Sequence, residues 1–288
     1  MPIEISHLTH TYMQGGPFAH TALEDVSLTI HDGEFVGLIG HTGSGKSTLI
    51  MHLNGLIKPT SGKICVDGLD LMDKNTSLRD VRRKVGLVFQ YPEYQLFEET
   101  ILKDVMFGPK NLGLSDAEAE ERASVALRQV GLTDENMYEK SPFELSGGQK
   151  RRVAIAGVLA MRPSTLILDE PTAGLDPHGR EEILSLISNI HKEGGVTLIM
   201  VSHSMTDVSR LCSRILVMNH SRLVMDGTPD EVFRNGDTLL EAGLSLPPCA
   251  ELAERLRGAG FRIPAEAYRP ETLTKAILDS LGRSGKHA

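Results

Sequence analysis

Phe35-Val36-Gly37-Leu38-Ile39-Gly40-His41-Thr42-Gly43-Ser44-Gly45-Lys46-Ser47-Thr48 joins a short apolar run to a glycine-rich turn and then to a helix-forming stretch. Residues 40–47 match G-x-x-x-x-G-K-[ST], and the flanking patterns predict a buried strand before the turn and a helix after it. In that setting glycines let backbone N–H groups converge on phosphate oxygens, and the helix start adds its partial positive charge. Lys46 then carries an ammonium to the outer phosphates, and the Ser47 hydroxyl is placed to ligate Mg²⁺. Gly40 to Thr48 are therefore the candidate phosphate cradle.

Outward from this turn, short β-type runs alternate with longer helical patterns, as a parallel sheet with crossover helices requires. The expected buried strands are Phe35–Ile39, Val85–Phe89, Leu166–Leu168, Thr197–Val201 and Ile215–Met218. Ile3 to Ile30 and Gly62 to Asp67 alternate apolar and polar residues, which predicts an antiparallel sheet beside the parallel one. Leu114 to Leu132 reads as an amphipathic helix opened by a Ser115/Glu118 capping box, and Arg180 to Lys192 as a core helix stopped by Gly194-Gly195. Composition changes near Gly243, so the chain is divided into 1–243 and a C-terminal helical extension, 244–288. Pro248–Gly258 and Pro270–Leu281 are its expected helices, the second striped with Leu273, Ile277 and Leu281. Gly282 to Ala288 is polar and expected to fray.

The 288 residues are 40% hydrophobic and 24% charged, which suits a globular domain with a real core. Thirty basic against 38 acidic residues give a net charge of −8, so there is no electrostatic footprint for nucleic acid. The cluster Arg79, Arg82, Arg83, Lys84 reads as a solvated helix end. Cys65, Cys212 and Cys249 are widely spaced and form no C-x-x-C pair, which suggests neither a disulfide framework nor a zinc site and fits a reducing cytoplasm. The N-terminal residues lack a basic segment with a long apolar run, and no stretch reaches the 18 or so apolar residues that cross a bilayer.

Thr165-Leu166-Ile167-Leu168-Asp169-Glu170 is an apolar strand ending in two acids. Beside a phosphate cradle, Asp169 is the candidate Mg²⁺ holder and Glu170 the candidate general base for water attacking a γ-phosphate. A second glycine turn, Leu145-Ser146-Gly147-Gly148-Gln149, precedes a helix and is a further anion site, redundant within one protomer whose phosphates are already held.

With this LSGGQ the chain resembles the nucleotide-binding domain of ABC transporters over roughly residues 1 to 240. The resemblance implies an α/β P-loop ATPase fold with a mixed sheet, an N-terminal antiparallel subdomain and a helical signature subdomain. It implies ATP and Mg²⁺ as cofactors. Gln90 matches the Q-loop glutamine, which contacts Mg²⁺ or the attacking water; Gly174-Leu175-Asp176-Pro177 matches the D-loop. His203 matches the switch histidine, and Tyr12 the aromatic stacked on adenine. Each alone has a plainer reading: a helix cap for His203, a surface amide for Gln90, a sheet aromatic for Tyr12. Their joint order favours the family. No Asn-Lys-x-Asp guanine reader is present.

The resemblance also implies a head-to-tail dimer with an identical or paralogous ATPase, each ATP lying between residues 40–47 of one chain and Ser146, Gly147, Gly148 and Gln149 of the other. Phe89-Gln90-Tyr91-Pro92-Glu93-Tyr94-Gln95-Leu96-Phe97 is similar to the FQ-x-PE-x-QLF stretch of ATPases from energy-coupling factor (ECF) transporters, importers of vitamins or transition-metal ions. Gly15-Gly16-Pro17-Phe18 and Gly40-His41-Thr42 are similar to the second of their two paralogous ATPases. Implied with these are an integral-membrane coupling subunit, an indirectly contacted substrate-binding membrane subunit, and a peripheral place on the cytoplasmic face of the membrane. Residues 90–97, with Glu93, Glu98 and Glu99, are expected to line a groove for basic coupling helices. The competing readings are a soluble ABC-type ATPase of DNA repair or translation and a non-hydrolysing regulatory subunit.

Overall fold

The computed structural model describes residues 2–284, with side chains described through 281. In chain order the elements are β1 (Ile3–Tyr12), β2 (His20–Ile30), β3 (Phe35–Ile39), α1 (Lys46–Leu53), β4 (Ser61–Val66), β5 (Leu69–Asp70), α2 (Leu78–Lys84) and β6 (Val85–Val88). There follow α3 (Ile101–Asn111), α4 (Asp116–Gln129), α5 (Gly147–Leu159), β7 (Thr165–Asp169), α6 (Pro177–Gly194), β8 (Thr197–Val201) and α7 (Met205–Leu211). The chain continues through β9 (Arg214–Asn219), β10 (Arg222–Gly227), α8 (Pro229–Arg234), α9 (Gly236–Glu241), α10 (Pro248–Gly258) and α11 (Pro270–Ser284).

Two sheets form, one ordered β2-β1-β4-β5 and antiparallel, the other ordered β10-β9-β3-β8-β7-β6. In the second, β9, β3, β8, β7 and β6 run parallel and β10 pairs antiparallel at the edge. The period-2 alternation of a strand divides its side chains between two cores. Phe35, Ile39, Leu166, Leu168, Leu198, Met200, Ile215 and Val217 face the helical core with α3 to α6. Val36, Leu38, Ile167, Ile199, Val201, Leu216 and Met218 face the other core, shared with β1, β2, β4 and α1. Burial on both faces explains why these strands read as continuous apolar runs.

Helix ends follow their caps. Ser115 and Glu118 form the expected capping box of α4. Helix α6 begins three residues before the expected Arg180, because the Asp176 carboxylate accepts the Gly179 N–H at 2.7 Å and Pro177 suits the first turn. Of the basic cluster expected at a solvated helix end, Arg82, Arg83 and Lys84 fall in the last turn of α2, whereas Arg79 lies in its first turn and Lys84 is engaged by Asp67 at 2.8 Å. In the C-terminal segment Leu244, Leu246, Ala250 and Tyr268 enter the helical core, while Ala253, Ile263, Ala267, Leu273 and Ala276 make a small cluster of their own. The expected stripe is thus covered at Leu273 but open at Leu281. The fraying expected for Gly282–Ala288 falls on residues whose side chains, and from 285 whose backbone, lie outside the described residues; α11 itself continues to Ser284.

Behind α1, His52 is fully buried and its Nδ1–H donates to the Thr48 carbonyl at 2.7 Å, with the His10 ring 4.7 Å away. Burial, helped by His10 and opposed by that hydrogen bond, pushes the His52 pKa down to about 4 from 6.5. A histidine lowered on folding contributes stability above 6.5 that is lost as pH falls toward 4, because the unfolded chain binds the proton first. At pH 5 the loss is about 2 kcal/mol, from ~1.4 kcal/mol per pH unit. Urea midpoints at pH 7.5 and 5.0 are expected to fall further for wild type than for His52→Gln; equal falls refute this account.

A candidate ATP-hydrolysing site

Parallel strands deliver all their carboxyl ends to one edge of the sheet, and that edge is where open α/β sheets bind ligands. Leu38 of β3 and Asp169 of β7 both pair with Val201 of β8, and Val88 of β6 pairs with Leu168. The turns after β3, β7, β8 and β6 therefore place Gly40–Thr48, Asp169–Glu170, His203 and Gln90 along one edge.

The cradle turn enters α1 at Gly45, whose φ is +106°. A Cβ there would lie 2.4 Å from the Ala22 carbonyl oxygen, so only glycine lets the turn approach the antiparallel sheet this closely. Helix α1 has no side-chain cap, which leaves its first N–H groups open to an anion. Lys46 Nζ donates to the carbonyls of Gly40 (2.6 Å) and His41 (2.9 Å), arching back over the turn. His41 sits between the Thr42 carbonyl (2.7 Å) and Asn219 (3.1 Å). Thr42, Gly43 and Ser47 are exposed, whereas Ser44 is fully buried and its Oγ has no hydrogen-bond partner among the described residues. Tyr12, half-open at 39% exposure, has its hydroxyl 3.3 Å from Thr48 Oγ1 and its ring edge-on to His10.

Asp169 closes β7 half-buried. Glu170 follows with φ +48°, a left-handed conformation that non-glycine residues rarely adopt, held by its N–H bond to the Val201 carbonyl at 3.0 Å. Its Oε2 lies 2.8 Å from Nδ1 of the exposed His203. Burial pushes Asp169 up to about 6, Glu170's charge adds to this and Lys46 opposes it. Burial likewise lowers the Lys46 ammonium against the pull of Glu170 and Asp169. Two carboxylates thus face one ammonium, and the pocket has negative charge to spare. A divalent cation fits that balance, and the donors at hand, the Ser47 hydroxyl, the Asp169 carboxylate and the Gln90 amide oxygen, are the hard oxygens Mg²⁺ takes.

Ser146 caps α5 with a full capping box: its hydroxyl accepts the Gln149 N–H, and Gln149 Oε1 accepts the Ser146 N–H at 3.1 Å. Gly147 and Gly148 are the first residues of that helix. Helix α5 packs on α3, α4 and β6, whereas α1 packs on β2 and β4, so the signature turn and the cradle belong to different layers. The exposed Asp176 has its carboxylate engaged as the α6 cap.

Two features were not legible from residue types. Arg151, two residues past the signature turn, is 1% exposed and holds Glu93 through paired hydrogen bonds of 3.0 and 2.7 Å. Glu93 is therefore turned inward and does not line a docking groove as expected. A groove of about 560 Å³ does lie beside the turn, but Phe89, Phe97, Phe107 and Met161 wall it and Arg79, Arg82 and Asp104 carry its charge. Of residues 90–97 expected to line it, Gln95, Leu96 and Phe97 do and 90–94 do not; Glu98 and Glu99 are not among its lining residues either, and Glu99 pairs with Lys103 at 2.8 Å.

A glycine cradle on a helix start, two strand-end acids at the same sheet edge and a second capped glycine turn in a separate helical layer define an ATP hydrolase of the ATP-binding-cassette class. The ABC transporter family model matches residues 23–173. The energy-coupling factor transporter ATP-binding protein EcfA2 of Clostridium acetobutylicum is 57% identical over 278 residues, covering 96% of this chain and 97% of the relative. Its counterpart in Symbiobacterium thermophilum is 56% identical over 286 residues, 99% of each chain. Among solved structures, cbiO1 from Clostridium perfringens, described as part of the ABC transporter complex cbiONQ, aligns with TM-score 0.72 at 38% identity, covering 88% of this chain and 98% of that one. A dimeric ATP-binding cassette in a post-hydrolysis state with ADP and Pi aligns with TM-score 0.69 at 32% identity, covering 79% and 98%. The chain belongs to the ATP-binding subunits of energy-coupling factor transporters, within the ABC transporter family.

Proposed function

We propose that this ATPase energises an importer of a vitamin or a transition-metal ion, working as a peripheral subunit on the cytoplasmic face of the membrane. The transport reading is supported by relatives named as energy-coupling factor subunits along the whole chain, and the pairing of two ATPases by the layer separation of cradle and signature turn: Ser146 to Gln149 open a capped helix in a different layer from the cradle. A second ATPase, identical or paralogous, placed head to tail brings its cradle to this turn, and each ATP is then shared between chains. The soluble DNA-repair or translation reading is not favoured by relatives named as transporter subunits along the whole chain.

In this reading residues 1–243 are the nucleotide-binding domain and 244–288 an appended helical unit, with exposed Leu278 and Leu281 on α11 contributing to dimerisation. The apolar groove receives a helix of an integral-membrane coupling subunit, which in turn contacts a separate substrate-binding membrane subunit. Its aromatic and methionine walls call for an apolar helix face, with an acid to meet Arg79 or Arg82 and a base to meet Asp104.

Tyr12 stacks on adenine, the cradle from Gly40 to Thr48 binds the phosphates, and Lys46 swings from the Gly40 and His41 carbonyls to the outer phosphates. Ser47, Asp169 and Gln90 would hold Mg²⁺, which when bound neutralises charge on the phosphates. Glu170 accepts the proton of the attacking water, and His203, released from Glu170, meets the γ-phosphate. Asp176 contributes from the facing chain. ATP closes the two composite sites and loss of the γ-phosphate contacts reopens them.

Affinity purification of the tagged chain from detergent-solubilised membranes, followed by mass spectrometry, tests this. Co-recovery of a second ATPase and a polytopic subunit is expected. Recovery of a ribosomal or nucleic-acid complex in their place overturns the transport reading and leaves the ATPase assignment standing.

A further inference from the structure

The guanidinium of Arg151 uses four donors in two directions. Nε and Nη2 hold the two oxygens of Glu93, in the single 3₁₀ turn Pro92–Gln95 that follows Gln90. Nη1 donates to the carbonyls of Pro171 (3.0 Å) and Ala173 (2.8 Å), directly after Glu170. A second contact joins the same two segments: Tyr91, at φ +54°, brings its ring within 3.2 Å of where a Cβ on Gly174 would stand, and Gly174 itself has φ +74°. The Ala173 N–H in turn bonds the Glu170 carbonyl at 3.1 Å.

A buried ion pair carries a desolvation cost that an apolar pair of the same volume avoids, so stability alone does not account for this one. Its distinctive property is direction. A planar fork with five N–H donors fixes a carboxylate on one side and two carbonyls on the other, which a lysine ammonium has neither the width nor the donors to do.

We infer that Arg151 is a positioning residue for ATP hydrolysis, tying the turn after Gln90 to the segment after Glu170, and that a helix seated in the neighbouring groove acts on the hydrolytic loop through this tie. The groove and the tie share the turn: Gln95, Leu96 and Phe97 line the one, and Glu93, two residues earlier, anchors the other. The second half of the inference rests on the membrane-subunit reading above; the tie itself does not.

The test uses full-length chain and assembled complex, with Glu93→Gln as the near-isosteric variant and Arg151→Lys as its complement. Hydrogen exchange of the full-length chain is expected to show amides 172–175 exchanging at least tenfold faster in Glu93→Gln, with the helix 116–129 unchanged. The kcat for ATP is expected to fall about tenfold with KM within threefold, in line with the rate cost of a misplaced catalytic group. A merely structural role would lower thermal stability and raise exchange across the helical layer without that local pattern. Unchanged protection at 172–175 in a folded Glu93→Gln chain overturns the tie. Should Arg151→Lys fail to fold, Glu93→Gln still decides. In the complex, stimulation of ATPase activity by the membrane subunits is expected to drop at least threefold in Glu93→Gln; wild-type stimulation overturns transmission from the groove. Failure of the wild-type chain to bind any membrane subunit overturns the transporter reading and with it that second half, whereas the exchange result decides the tie by itself.

Discussion

Glu170→Gln is expected to lower kcat for ATP hydrolysis by about 10²–10⁴, the range general-base catalysis contributes, while ATP affinity stays the same or tightens. Geometry and charge both lead there. Glu170 stands at the edge where cradle, Asp169 and His203 converge, and its left-handed backbone is held by Val201 rather than by its side chain. The amide therefore keeps the fold of the loop and loses only the basic oxygen. It also removes a negative charge that raises Asp169 and opposes phosphate, so binding should not weaken. Single-turnover measurements with Mg²⁺-ATP read both quantities, and the variant should accumulate as an ATP-bound dimer. A kcat within tenfold of wild type, with binding intact, would remove Glu170 from the role of base.

The sequence made this prediction possible because the sheet edge is written in strand patterns. Once Phe35–Ile39, Leu166–Leu168 and Thr197–Val201 read as parallel strands, the residues after them had to meet. The same reasoning found the antiparallel sheet and both C-terminal helices. It failed where a side chain's direction depends on a single turn. In the sequence Glu93 groups with Glu98 and Glu99 as a groove acid, but the 3₁₀ turn aims it at Arg151, and no periodicity in four residues announces that. Arg151 was hidden for the complementary reason: in Lys150-Arg151-Arg152 charge suggests solvent, and only the helix phase buries the middle residue. At the start of α6, Asp176 belongs to the D-loop pattern and is at the same time a good N-cap followed by proline, so the helix starts ahead of its apolar periodicity.

Asp169→Asn is expected to make the nucleotide-free protein more stable and to weaken its Mg²⁺-dependent ATP binding by about 10²-fold. Ordinary damage does not produce those opposite signs together. A carboxyl whose pKa rises on folding from 3.8 to about 6 opposes folding once ionised. The folded chain then holds its proton over the window in which the unfolded chain has released it. Stability accordingly falls as pH rises from 3.8 to about 6, and the cost is complete above that. At 1.36 kcal/mol per unit the ceiling is about 3 kcal/mol, and screening of a half-buried group next to Glu170 brings this to about 1–2 kcal/mol. The amide carries no charge to desolvate, so its urea midpoint should exceed that of wild type at pH 7.5 and converge with it near pH 4. What the wild-type chain gains for the cost is a carboxylate already in place for a cation, with burial, Glu170 and the partial opposition of Lys46 setting its proton affinity. An Asp169→Asn variant less stable than wild type at pH 7.5 would mean that Asp169 is satisfied by its neighbours and is not held in readiness for Mg²⁺. Unchanged Mg²⁺-ATP affinity would move the metal contact elsewhere along the edge, to Ser47 and Gln90.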